Sequence, residues 1–136
     1  MKKFDACAAR CPSRDLLAQI ADKWTVLVLG TLIERTTRFN ELRRRVEGIS
    51  QKMLTQTLRG LERRGLVARV IHAEVPPRVE YSLTPLGRSL VKVLGGLTDW
   101  AETHTAQVMA AQQRFDERQG KMPRLPATSR VTSRGR

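Results

Sequence analysis

The chain has 136 residues, enough for one domain with a single hydrophobic core and short tails. Its 25 Lys and Arg against 13 Asp and Glu give a formal net charge of +12. Two cysteines do not make a disulfide scaffold, and no run of about 20 uncharged apolar residues is present to span a membrane.

Aromatics are few and the apolar residues are mainly Leu, Val and Ala, which predicts a largely helical protein. The opening Met1-Lys2-Lys3-Phe4-Asp5 lacks the apolar stretch of a signal peptide. Cysteines without an export signal point to a reducing compartment, so the cytoplasm is the expected location.

Residues 1–12 form an arm carrying Cys7, Cys11 and Pro12. Ser13 is the expected N-cap of a first helix whose apolar face is Leu16, Leu17 and Ile20. From Trp24 to Ile33 the chain is apolar nearly all round, the pattern of a helix buried at the centre of a domain. Glu34 to Arg38 reads as a polar connection.

A short helix follows from about Asn40 to Val46, with Phe39, Leu42 and Val46 inward. Glu47-Gly48 is a turn, Ile49 packs behind it, and Ser50 caps the next helix. There Leu54, Leu58 and Leu61 fall on one face of a 3.6-residue period. The opposite face shows Gln51, Lys52, Thr55, Gln56 and Arg59. Gly65 marks the helix end, after the basic pair Arg63-Arg64.

Leu66 to His72 has a strand pattern, Glu74-Val75-Pro76-Pro77 a stiff tip, and Arg78 to Leu83 a returning strand. Thr84-Pro85 caps and starts a long helix. Its stripe is Leu86, Leu90, Val93, Leu94, Leu97, Ala101, His104 and Val108, and it runs to about Arg118, roughly 50 Å. One small core cannot cover that stripe, so part of it is expected to pack on a second copy. Gly95-Gly96 interrupts the helix at about 1 kcal/mol per glycine, which suggests a kink or a close backbone crossing. Beyond it the chain turns to Pro, Ser, Thr and Arg, a disordered basic tail including Arg124, Arg130, Arg134 and Arg136.

Helix, turn, helix, then hairpin is the order of a winged-helix module, which lays its second helix in the DNA major groove. The positive charge suits a phosphate backbone. Gln pairs bidentately with adenine, Arg with guanine, Thr meets the thymine methyl, and Lys or Ser holds phosphate. Arg43, Arg44 and Arg45 spread over about 200° of helix surface, so only one or two can face DNA. Of the residues flanking the proline tip, Arg78 is the better candidate and His72 reads as a strand residue facing water.

No catalytic constellation stands out. Cys7 and Cys11 cannot complete a four-ligand zinc site, and His104 reads as packed or interfacial, so no cofactor or metal is expected. Cys11 lies just before a helix start with Arg10 and Arg14 close in sequence, and both features favour thiolate. The alternative for Cys11 is a small packing residue.

Several strings carry a resemblance. They are Cys11-Pro12, Asp22-Lys23-Trp24-Thr25, Arg38-Phe39-Asn40-Glu41-Leu42, Gly48-Ile49-Ser50-Gln51-Lys52-Met53-Leu54-Thr55, Leu61-Glu62-Arg63-Arg64-Gly65-Leu66-Val67, Glu74-Val75-Pro76-Pro77-Arg78-Val79-Glu80-Tyr81 and Leu83-Thr84-Pro85-Leu86-Gly87. Over roughly residues 11–104 the chain resembles the HxlR-type bacterial transcriptional regulators, winged-helix relatives of the MarR-type regulators. The resemblance implies a homodimer joined by N- and C-terminal helices, with two recognition helices on one pseudo-palindromic operator. It also implies that the cysteine before the proline, here Cys11, responds to electrophiles or oxidants, as in several members. The chain departs from the pattern at Ala21-Asp22, where two glycines are frequent, at the additional Cys7, and in the basic tail.

The expected fold is mainly α with a small β-hairpin: an arm over 1–12, a winged helix-turn-helix over 13–84, a dimerisation helix over 85–118 and a disordered tail over 119–136. The expected partner is a double-stranded DNA operator, bound through Ser50, Gln51, Lys52, Thr55, Gln56, Arg59, Arg78 and Arg43, with Cys11 as the redox-sensing residue and no membrane contact. The expected function is a sequence-specific dimeric repressor that responds to an oxidant or electrophile. The alternatives are a nonspecific nucleoid protein, a regulator released by a small-molecule inducer, and an RNA-binding winged helix.

Overall fold

The computed structural model describes residues 3–121, so most of the expected basic tail lies outside the described residues. The chain divides into two compact units, Met1–Thr98 and Asp99–Arg136.

The first unit begins with α1 (Pro12–Ile20) and α2 (Lys23–Leu32). Cys11, not Ser13, is the N-cap of α1, because Pro12 occupies the first helical turn, where a missing N–H costs nothing. α1 buries none of its residues: Ile20 packs on the core, while Leu16 and Leu17 stay exposed. Asp22 caps α2 by accepting from Thr25 N at 3.3 Å. α2 is not buried all round. Val28, Leu29 and Leu32 are inside, but Leu27 and Ile33 are 44% and 47% exposed.

The connection after α2 contains β1 (Thr37–Arg38), a two-residue strand that its polar sequence did not suggest. It exists because β3 supplies a ladder, with Thr37 opposite Tyr81 and Arg38 opposite Glu80. α3 (Phe39–Arg45) starts directly from it. Leu42 and Val46 are buried as expected, with Phe39 packed at the edge of the core. Gly48, at φ 86°, makes the turn, and Ile49 is buried behind it.

α4 (Gln51–Arg63) buries Leu54, Leu58 and Leu61, the three predicted positions, together with Thr57. Gly65 closes it at φ 72°, and Leu66 N–H returns to the Leu61 carbonyl at 3.0 Å. β2 (Val67–His72) and β3 (Arg78–Leu83) pair antiparallel, from Val67 opposite Leu83 to His72 opposite Arg78. The sheet order is β1-β3-β2, the wing of a winged helix.

α5 (Pro85–Lys121) begins in the first unit. Thr84 Oγ1 accepts from Gly87 N at 3.0 Å and donates to the Gly65 carbonyl, so the start of α5 is tied to the end of α4. Gly87, Val91 and Leu94 are buried, which carries the first unit beyond the boundary expected at residue 85. The stripe expected along α5 mixes faces: Leu94 is buried and Leu90 half-buried, but Leu86 and Val93 are exposed. Gly95 and Gly96 lie within continuous helix, and a Cβ at either would meet open space. The expected close crossing is therefore absent among the described residues.

In the second unit the helix extends to Lys121, three residues past its expected end at Arg118. Trp100, Val108, Met109 and Phe115 are exposed along it. His104 stacks on Trp100 with ring centroids 4.7 Å apart, and its Nδ1 lies 2.8 Å from the Trp100 carbonyl. No described helix is long and apolar enough to cross a membrane.

Candidate nucleic-acid interface

The site is built on α4. Three leucines turned inward leave Gln51, Lys52, Thr55, Gln56 and Arg59 all exposed on the remaining surface, as the period predicts. Ser50 fixes the start of this surface, because its hydroxyl accepts from Met53 N at 3.0 Å. That bond leaves the Ser50 hydroxyl proton free for an outside acceptor. Thr55 differs: its Oγ1 donates back to the Gln51 carbonyl at 2.9 Å, so its hydroxyl proton is already used and it keeps only acceptor capacity and its methyl for an outside partner. Met53 is also exposed here, an apolar neighbour that the polar reading of this face passed over.

Ion pairing separates the arginines that the sequence left equivalent. Arg45 Nη2 lies 3.1 Å from Glu34 Oε2, and Arg35 pairs with Glu41. Arg69 Nε lies 3.2 Å from Glu62 Oε1. Arg43 and Arg44 are exposed, and neither has a carboxylate within ion-pair distance among the described residues. A cation with no fixed partner is the one able to exchange counterions for phosphate.

Arg78 is held by carboxylates more than by prolines. Its Nη2 is 3.3 Å from Glu74 Oε1. Its Nε is 3.2 Å from Glu80 Oε1, close enough to attract without the alignment of a hydrogen bond. His72 does not simply face water: it is half-buried, with Nε2 3.1 Å from Glu80 Oε2. The wing tip leaves Val75, Pro76 and Pro77 exposed, and the Val75–Pro76 bond is cis.

An open groove of about 900 Å³ runs between α3 and this tip. Arg38, Asn40 and Arg44 line one side of it and Pro76, Pro77 and Arg78 the other. Arg38 and Asn40 were missed from sequence, because nothing local says that the start of α3 and the wing tip face each other across a gap.

A separate feature lies at the start of α1. Cys11 is half-buried, with Sγ 3.1 Å from Ser13 Oγ. The hydrogen bond from the Ser13 hydroxyl is the largest influence on the thiol and holds it below the usual cysteine range. Partial burial opposes the shift, and backbone N–H groups of Ser13, Asp5 and Arg14 add to it. The Arg10 and Arg14 side chains, expected to do this, are not among the causes. Cys7 is exposed and both thiols are free, separated by turns rather than by a helix.

The profile of the HxlR-like helix-turn-helix family matches residues 19–109. The uncharacterized HTH-type transcriptional regulator YtfH of Escherichia coli K12 is 43% identical over 118 residues, which cover 87% of this chain and 91% of that protein. A solved structure of YtfH from Salmonella typhimurium superposes with a TM-score of 0.78 at 43% identity, over 82% of this chain and 99% of that one. The redox regulator HypR in its oxidised form matches with a TM-score of 0.63 at 42% identity, over 68% of this chain and 96% of that one.

Proposed function

The chain belongs to the HxlR-like helix-turn-helix family of transcriptional regulators, and from that membership we propose that it is a sequence-specific repressor acting as a homodimer. Two copies would present two α4 helices to one pseudo-palindromic operator, with half-sites about 34 Å apart or a multiple of that. The observation that carries this reading is the division of α4 into a buried leucine face and an exposed Gln, Lys, Thr and Arg face. Ser50, Lys52 and Arg43 hold phosphate. Gln51, Thr55, Gln56 and Arg59 read bases, and Arg78 approaches the adjacent groove or backbone.

The experiment selects a preferred duplex from random DNA and then replaces Gln56 or Arg59 by Ala. Each change should cost about 1–3 kcal/mol on the selected duplex and less on unselected DNA. Equal losses on both would leave a nonspecific nucleoid protein as the better reading.

A thiol switch at Cys11 is a second component of the proposal. It is favoured by the Ser13 hydrogen bond that stabilises thiolate and by the likeness to a redox regulator. Thiolate is the form that oxidants and electrophiles attack. Operator binding that is identical before and after diamide treatment would reduce Cys11 to a packing residue.

A further inference from the structure

We propose that the groove between α3 and the wing is a second seat for the DNA backbone, in which Arg38 and Arg44 grip phosphates and Glu74 restrains Arg78. The proposal rests on the reading of α4 as a DNA-binding helix, and it assigns the strand that lies beyond that helix.

The charges of the groove support this. Arg38, Arg44 and Arg78 face it together with two carboxylates, Glu41 and Glu74. Both carboxylates are already engaged, Glu41 by Arg35 and Glu74 by Arg78. Arg38 and Arg44 therefore keep their charge available, and no carboxylate lies within ion-pair distance of either among the described residues. The Asn40 amide adds a neutral donor, and the proline rings offer an apolar wall suited to deoxyribose.

The elements that carry these side chains are fixed to one another. Arg38 lies opposite Glu80 in the β1–β3 ladder. It is also the N-cap residue of α3, with no side-chain capping bond to occupy it. α3 passes through the Gly48 turn into α4, so a phosphate held at Arg38 and Arg44 sets the position of the reading helix. The first helix of a helix-turn-helix crosses the backbone, and the groove supplies the residues for that crossing. Glu74 has a different part. Its carboxylate competes with phosphate for the Arg78 guanidinium and repels the DNA backbone, so it lowers affinity for DNA in general.

The test uses the full chain and a random-sequence duplex of roughly three helical turns, titrated by fluorescence anisotropy between about 50 and 200 mM salt. Three variants are compared with the parent: Arg38→Gln with Arg44→Gln, Lys52→Gln with Arg59→Gln, and Glu74→Gln. Each phosphate that is no longer neutralised should flatten the log–log salt slope by about 0.9, so the first variant should reduce it by about 2. Glu74→Gln should tighten binding and steepen the slope by up to about 1, the upper bound because Glu80 still lies beside Arg78. The substituted side chains are largely solvent-facing, and Glu74→Gln reports on the groove even if the double arginine variant were to misfold. A slope unchanged in Arg38→Gln/Arg44→Gln and in Glu74→Gln, but flattened in Lys52→Gln/Arg59→Gln, overturns the second seat and leaves the α4 reading standing. No change in any of the three overturns both.

Discussion

A Cβ placed on Gly87 would stand 2.0 Å from the carbonyl oxygen of Leu66. The first turn of α5 thus lies directly on the chain that leaves α4, and Thr84 bonds across the same junction to the Gly65 carbonyl. Only glycine permits that approach, because the obstructing atom belongs to the backbone and cannot rotate away.

Gly87→Ala should therefore destabilise the protein by about 2 kcal/mol, the overpacking cost exceeding the gain in helix propensity. Urea unfolding at fixed protein concentration measures this. Unchanged stability would mean that the start of α5 can lift off Leu66 freely.

Ser50 caps α4, and in the proposed complex it also meets phosphate. Ser50→Ala should cost about 1 kcal/mol of stability through loss of the bond to Met53 N. Ser50→Asp should keep the cap and suit the positive end of the helix. It should nevertheless weaken binding to every DNA sequence, because a carboxylate would then face phosphate. If Ser50→Asp binds DNA as well as the parent, the start of α4 does not approach the backbone.

The exposed apolar residues of α5 are the proposed dimer surface. Leu97→Glu together with Val108→Glu should turn a dimer into a monomer in sedimentation at micromolar concentration. Binding to a two-half-site duplex should fall far more than binding to a single half-site. A parent protein that sediments as a monomer would remove the basis of the expectation.

At Cys11 the sign of the pH effect follows from the lowered thiol pKa. A thiol held below its usual range is already thiolate at pH values where an ordinary cysteine is still protonated. Its alkylation by iodoacetamide should rise with pH through that lowered range. In a Cys7→Ser background, Ser13→Ala removes the largest cause of the shift and should move the alkylation profile to higher pH. A profile that stays where it was would show that the Ser13 hydroxyl does not support the thiolate.

The amino-acid sequence by itself determined the order of elements, the inward leucines of α4, the Ser50 and Thr84 caps, the turns at Gly48 and Gly65, and the exposed polar face of α4. Each of these is a local relation, set by residues three or four apart or by one backbone conformation that glycine accommodates. Tertiary structure decided the rest. β1 is a strand only because β3 runs beside it. Arg45 differs from Arg44 only because Glu34 reaches one of them. Arg78 is restrained by Glu80 as well as by nearby Glu74. The apolar residues of α2 and α5 divided into buried and exposed according to which neighbours the fold brought against them. Helical and strand periods state which residues share a face, whereas charge pairing and burial depend on what the folded chain places opposite that face.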